Sequence, residues 1–305
     1  MKTPVLFIAF HRPETTRRVF DAIRQARPER LFLAQDALGG KSADPAQARR
    51  HAQVREILQA VDWPCEVNTF FENENQGQVP GAHAAMDWFF GKVEGGIVLE
   101  DDCLPEASFF TFCEELLEKY KDDPRVSMIS GDNFQDGRQR GEATYYYSKL
   151  HHFWGWASWR RTWAGTDFKM RELPEFLSAG RMAEITNDPI VRFWLKREMK
   201  AVYEGRLQSW GETQMQFKAW NEGGVCIVPN VNLISNIGYG TEGALNCHDD
   251  FCKFANMKVS PIGKITHPSK MEADRAADRY EVYAITWALV LGRVKRPVRI
   301  KKRKL

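Results

Sequence analysis

The chain has 305 residues, of which 43% are hydrophobic and 27% charged, a balance that excludes disordered, collagen-like and multi-span membrane proteins. The formal charge is +3, yet eight cations between Arg293 and Lys304 stand with no acid among them, so the rest of the chain is net negative. That asymmetry argues against a nucleic-acid-binding surface spread over the fold and for a local electrostatic anchor near the C-terminus.

Val5 to Phe10 is a continuous apolar run, and His11-Arg12-Pro13 then opens a helical pattern in which Pro13 suits a first helical position. Leu31 to Ala34 repeats the strand signal and ends in Gln35-Asp36. A helix capped by Asp44-Pro45 follows, with Val54, Ile57, Leu58 and Val61 on one face. Cys65 to Phe71 reads as a third strand, Gly81 to Lys92 as a third helix, and Gly95 to Leu99 as a fourth strand running into Glu100-Asp101-Asp102. This alternation predicts an α/β fold with a doubly wound, mostly parallel sheet, whose ligands bind beyond the carboxyl ends of the strands. Arg12, Asp36 and the Glu100-Asp101-Asp102 cluster all fall at such ends.

A helix is expected from Pro105 to Tyr120 and a strand from Val126 to Ser130, after which the composition turns aromatic between Tyr145 and Trp163. Helices at Asp188 to Glu204 and Trp210 to Trp220, a strand at Val225 to Val228 and a Gly/Asn-rich loop from Asn230 to Gly243 complete the aromatic-rich second half. We divide the chain into a Rossmann-like alternating half (1–130), an aromatic-rich half of the same domain (131–260) and a C-terminal helix with a basic tail (261–305). Six cysteines without a CxxC pair, and an N-terminus lacking a secretion-signal pattern, lead us to expect a cytoplasmic setting.

Three carboxylates at the end of a buried strand repel one another unless something positive sits among them. Mn²⁺ or Mg²⁺, which take oxygen ligands and substrate phosphates, meet that need, although Asp102 could instead cap a helix starting near Pro105. Arg12 has the two parallel donors that suit a diphosphate, or is a surface charge beside Glu14. Asp36 could accept from a uracil-like base or a ribose hydroxyl, or simply open an Asx-turn.

The segments IAFHRPETTRRVFDAI, LAQDA, VLEDDCLPEASFFTF, HFWGWASWRRTW, SWGETQMQF and PNVNLISNIGYG together resemble the bacterial nucleotide-sugar transferases of the type A (GT-A) glycosyltransferase fold. These are the haemolysin-associated-protein-like enzymes, similar to N-acetylglucosaminyltransferase I. The resemblance covers about Val5 to His248. It implies metal-dependent, inverting transfer from a UDP-sugar to a glycan or lipid-linked glycan, such as a bacterial surface polysaccharide or lipopolysaccharide. It further implies that Asp102 touches the metal, that Glu100 and Asp101 hold ribose and sugar hydroxyls, that Arg12 meets the diphosphate and Asp36 the base. The family has Trp-Asp or Trp-Asp-Asp where this chain has Trp210-Gly211-Glu212, which makes Glu212 the candidate general base. A late histidine on the metal or phosphate maps to His248.

Trp154, Gly155 and Trp156 are expected near the sugar, with Trp159 and Trp163 in the core. Cys247, His248 and Cys252 lack the second ligand pair of a structural zinc site. The apolar stretch from Tyr280 to Leu291 and the basic residues after it could lie on an anionic membrane surface, giving a peripheral association with the inner membrane. Two other functions fit less well: a sugar-1-phosphate nucleotidyltransferase, which should carry a glycine-rich basic loop where His11-Arg12-Pro13 stands, and a non-catalytic carbohydrate-binding protein.

Overall fold

A computed structural model of the chain describes residues 1–39, 44–239 and 254–294. Its first part alternates as the periodicity predicts: β1 (Val5–Ala9), α1 (Pro13–Ala26), β2 (Arg30–Gln35), α2 (Pro45–Gln59), β3 (Glu66–Phe71), α3 (Gln78–Lys92) and β4 (Gly95–Glu100). Then come β5 (Cys103–Pro105), α4 (Ser108–Lys119), β6 (Val126–Ser130), β7 (Tyr145–Ser148), β8 (Trp156–Trp159), α5 (Arg160–Ala164), α6 (Leu173–Ser178) and α7 (Met182–Ile185). The chain continues through α8 (Pro189–Tyr203), α9 (Glu212–Asn221), β9 (Val225–Pro229), β10 (Ile234–Asn236) and α10 (Arg275–Val294).

Pro13 is the first residue of α1, where a missing N–H leaves no bond unmade. Asp44 caps α2 by accepting from the Ala46 N–H at 3.1 Å, and Val54, Ile57 and Leu58 form the buried face. Val61 lies beyond the end of that helix and still packs on the core.

The expected helix from Pro105 begins only at Ser108, because Cys103–Pro105 is extended and pairs antiparallel with Ile234–Asn236. The first turn of α4 is closed by Glu106, whose Oε2 accepts from the Ser108 N–H at 2.7 Å. Asp102 therefore caps no helix, and the bland explanation of the acidic cluster is removed.

Eight strands form one sheet in the order β3-β2-β1-β4-β8-β6-β9-β7. Six share a direction; β8 runs antiparallel to β4 and β6, and β7 antiparallel to β9. The result is a mixed α/β fold around a large, mostly parallel sheet. Both faces are covered: Val5 and Phe7 point into one apolar layer with α1, α2 and α4, whereas Leu6 points into another with α3. Burial on both sides is why these strands read as unbroken apolar runs. A third cluster packs α6 to α9 against Val282 of α10.

The chain winds outward from β1 to β2 and β3, then returns to place β4 on the other side of β1. Such a reversal opens a crevice at the carboxyl ends of the two central strands. Ile8 stands opposite Glu100 in the parallel register, so the residues just after β1 and just after β4 must meet.

Candidate functional site

They meet as an ion-paired cluster. One Arg12 Nη donates to Asp102 Oδ2 at 2.8 Å and the other to Asp101 Oδ1. Asp101 is only 3% exposed, and its second oxygen accepts from the Phe10 N–H at 3.3 Å. The Arg12 side chain is itself largely buried, which replaces the surface-charge alternative with a guanidinium shared between two acids. Burial alone would lower the Arg12 pKa, but its carboxylate partners raise it, so the cation is fixed. Burial pushes Asp101 up against the pull of Arg12. Burial likewise pushes Glu100 up, and the charges of Asp102, Glu212 and Asp101 add to the effect. Three carboxylates thus share an edge with one guanidinium, within electrostatic range of a fourth, Glu212, and like charges on that scale favour either bound protons or an added cation.

Gly238 closes this edge. A Cβ there would overlap both the Asp102 carboxylate and the Arg12 guanidinium, so the backbone approaches the pair as only glycine permits. We expect Gly238→Ala to fold, because the crowded groups lie at the rim of the sheet, but to separate Arg12 from Asp102. Ligand binding at this edge should weaken about tenfold or more, the scale of a lost charge-assisted hydrogen bond. Unchanged binding in a calorimetric titration would show that the close approach is incidental.

Asp36 directly follows β2, but its carboxylate is occupied. Oδ1 accepts from the N–H groups of Ala37 and Gln76 at 2.9 and 3.0 Å, and Oδ2 from Gly77 N–H at 3.0 Å and Asn75 Nδ2 at 3.3 Å. A carboxylate has about four acceptor sites, so a base N–H would have to displace one of these donors. The structure assigns Asp36 to holding the loop before α3.

Glu212 is the first residue of α9 and lies within electrostatic reach of Glu100. The Gly211 that interrupts the family's Trp-Asp pattern has φ +147°, and a Cβ on it would press on Trp163 and Phe168. This turn carries the chain from buried Trp210 into α9, whose first residue is Glu212. Its Oε2 accepts from Ser209 Oγ at 3.0 Å. Burial raises the Glu212 pKa, while Ser209 and backbone N–H groups restrain the rise.

Glu212 also lines a cavity of about 780 Å³ whose walls include Asp132, His152, Trp154, Trp194 and Glu281. Trp154 is half-buried there, edge-on to Phe134 at 5.4 Å and to Tyr239 at 5.7 Å. Trp156 corrects an expectation: it is 1% exposed, pairs within the sheet and stacks on Trp210 at 6.0 Å, so its ring offers no face to a ligand. Gly155 packs beneath Ile234 with no room for a Cβ. Trp159 and Trp163 are buried, as expected. His248 lies outside the described residues, as do Cys247 and Cys252.

A buried network at this cavity went unforeseen. His152 Nε2 meets Glu281 Oε1 at 2.6 Å, both side chains being 4% exposed. Burial would lower His152, but Glu281 and Asp132 raise it. Asp132 accepts from the Trp154 N–H at 3.1 Å, and burial holds its carboxyl well above the usual range. The neighbouring His151, bonded to Ser127 Oγ at 2.7 Å, is pushed down by burial to about 3 and stays neutral. Asp132 follows β6 as Asp102 follows β4, and the rule of strand carboxyl ends could have found it. Glu281 had no such signal.

Among the described residues, no three His, Cys, Asp or Glu side chains converge as a ready-made metal cage. A hard cation that takes one or two carboxylates and completes its shell from a substrate still fits the oxygen donors of Asp102.

No protein-family model and no curated protein matches the sequence. HddC from Yersinia pseudotuberculosis is similar over 57% of this chain and 86% of its own, at 12% identity and a TM-score of 0.34. UDP-glucose pyrophosphorylase complexed with UDP-glucose covers 55% of this chain and 81% of its own, at 12% identity and a TM-score of 0.33. The glycosyltransferase GlyE of Streptococcus pneumoniae TIGR4 covers 74% of this chain and 45% of its own, at 10% identity and a TM-score of 0.32. Likenesses this distant carry no statement about activity.

Proposed function

We propose that the chain is a glycosyltransferase that moves a sugar from a UDP-sugar to a glycan acceptor, with inversion at the anomeric carbon and Mn²⁺ or Mg²⁺ held at Asp102. The observation that supports this most is the cluster of Glu100, Asp101 and Asp102 with the guanidinium of Arg12, with Glu212 within electrostatic range of Glu100, at the reversal point of a mostly parallel sheet. A divalent cation, when bound, neutralises the diphosphate of the leaving group. Arg12, oriented by Asp101 and Asp102, is the protein's own positive partner for that diphosphate. Asp101, tied to the Phe10 N–H, keeps Arg12 in place. Glu212 takes the proton of the acceptor hydroxyl as its oxygen bonds to the anomeric carbon; the bond from that carbon to the phosphate oxygen breaks, and UDP leaves with the electron pair. A raised carboxyl pKa suits this role, because a base nearer neutrality holds the proton more strongly. The cavity beside Glu212, with Trp154 and Trp194 in its walls, suits the acceptor.

The test is a thermal-shift comparison of UDP, GDP, CDP and dTDP with and without Mn²⁺. We expect a Mn²⁺-dependent rise with UDP, worth about 2.7 kcal/mol at a hundredfold excess over Kd, that Asp102→Ala abolishes. No shift with any nucleotide would overturn the donor assignment. Release of pyrophosphate from UTP and a sugar 1-phosphate would instead make the protein a nucleotidyltransferase.

A further inference from the structure

The described residues expose few large apolar side chains, and those few are gathered. Of the six that stand out, Ile190, Phe193, Tyr203, Leu207 and Trp287 lie on α8, the loop after it, or α10; Val67 alone lies elsewhere. Ile190, Phe193, Trp194, Arg197 and Ala201 follow the spacing i, i+3, i+4, i+7, i+11, which puts them on one stripe of α8. The opposite stripe, Val191, Leu195 and Met199, is buried against the protein, so the exposed stripe is the outward one. Phe193 and Trp194 meet edge-on at 5.8 Å, and Arg197 lies over the Trp194 ring at 5.1 Å.

This stripe borders the cavity. Trp194, Arg197 and Ala201 line it from α8, Leu207 from the loop and Ile285 from α10. α10 packs on α8, with the Tyr283 hydroxyl donating to Asp188 Oδ2 at 3.3 Å, and Trp287 is one turn further along at 61% exposure. The charge on α8 is one-sided: Arg192, Lys196, Arg197 and Lys200 stand against the single acid Glu198. Aromatic and aliphatic side chains at the front of a basic helix are what an anionic bilayer interface takes up, with rings at headgroup depth and cations against lipid phosphates.

We infer that the outward face of α8, with Leu207 and Trp287, docks on an anionic bilayer and brings the cavity mouth to the lipid surface. The docking does not rest on the transferase reading. The residues 295–305, with seven cations and no acid, would add to the attraction without being its seat.

The test is sedimentation of the full chain with vesicles of phosphatidylglycerol and phosphatidylcholine, or of phosphatidylcholine alone, at low and high salt. Binding should require phosphatidylglycerol and weaken with salt. Phe193→Ser and the double variant Lys196→Glu/Lys200→Glu should each bind about tenfold or more weakly, while keeping the Mn²⁺-dependent response to UDP. A chain ending at residue 294 should retain part of the binding. If the α8 variants bind like wild type, or if truncation at 294 removes all binding, the docking face is wrong. A dimer in solution that Phe193→Ser converts to monomer would overturn it in favour of a second copy covering the stripe. Absence of any UDP response in the wild type would sink the donor reading and leave the vesicle result standing on its own.

Discussion

Glu212→Gln should lower turnover about a hundredfold or more while leaving the UDP and Mn²⁺ thermal shift in place. The substitution keeps the size and one acceptor oxygen of the side chain but removes its capacity to hold a proton. The donor edge is built from Arg12, Asp101 and Asp102, whose ion pairs do not include Glu212, so donor affinity should change little, the one difference being the loss of the Glu212 charge within range of Glu100. Steady-state rates of UDP release, measured beside nucleotide binding, separate the two. A companion variant sharpens the result. Ser209→Ala removes a donor that restrains the Glu212 pKa, so the acid limb of the pH–rate profile should move to higher pH with maximal turnover nearly kept. A fully active Glu212→Gln protein would remove this residue from the chemistry and turn attention to Asp132 across the cavity.

The second large effect is on stability. Burial raises Asp278 to about 7, although Ser148 Oγ at 2.6 Å and the Lys149 N–H at 3.1 Å both hydrogen-bond to its carboxylate. Between its unfolded value of 3.8 and about 7, the folded chain holds a proton there that the unfolded chain has lost. Stability therefore falls as pH rises through that window and levels off on either side. At 1.36 kcal/mol per unit the fall from this group is up to about 4 kcal/mol. His152 works in the same sense: its pKa is raised, so its contribution is complete below the unfolded value and is lost as pH climbs through the folded one. Denaturant titrations at a series of pH values should show the wild type most stable on the acid side of neutrality. In Asp278→Asn the slope should be visibly flatter, since the amide carries no charge to desolvate. An unaltered slope would mean that the burial of Asp278 is relieved by water or by movement of α10.

The vertical order of the first half was open to reading because each step is local. Apolar runs of four to six residues announce β1, β2 and β4, Pro13 and Asp44 announce the starts of α1 and α2, and the turnover from apolar to charged marks the strand ends where Arg12 and Glu100 to Asp102 stand. The helix at Pro105 was misplaced for a non-local reason. Cys103–Pro105 is extended because a segment 130 residues later pairs with it, and no window around Pro105 contains that partner. The tryptophans illustrate the same limit. Trp154 and Trp156 are two residues apart in one aromatic segment, yet one borders the cavity and the other is core, because β8 begins at Trp156 and seals it against Trp210 and the sheet.

What the amino-acid order determined by itself was therefore the alternation of strand and helix, the parallel character of the sheet that follows from it, and the edge at which charged residues emerge. The tertiary structure alone decided what those residues do to one another: that Arg12 is shared by Asp101 and Asp102, that Asp36 spends its oxygens on a loop, that Glu212 lines the cavity from the start of α9, and that Glu281 reaches His152 from α10. Hydrophobic periodicity is a property of neighbours along the chain. Charge pairing and desolvation depend on how distant segments return to one another, and they are set only when the chain has closed.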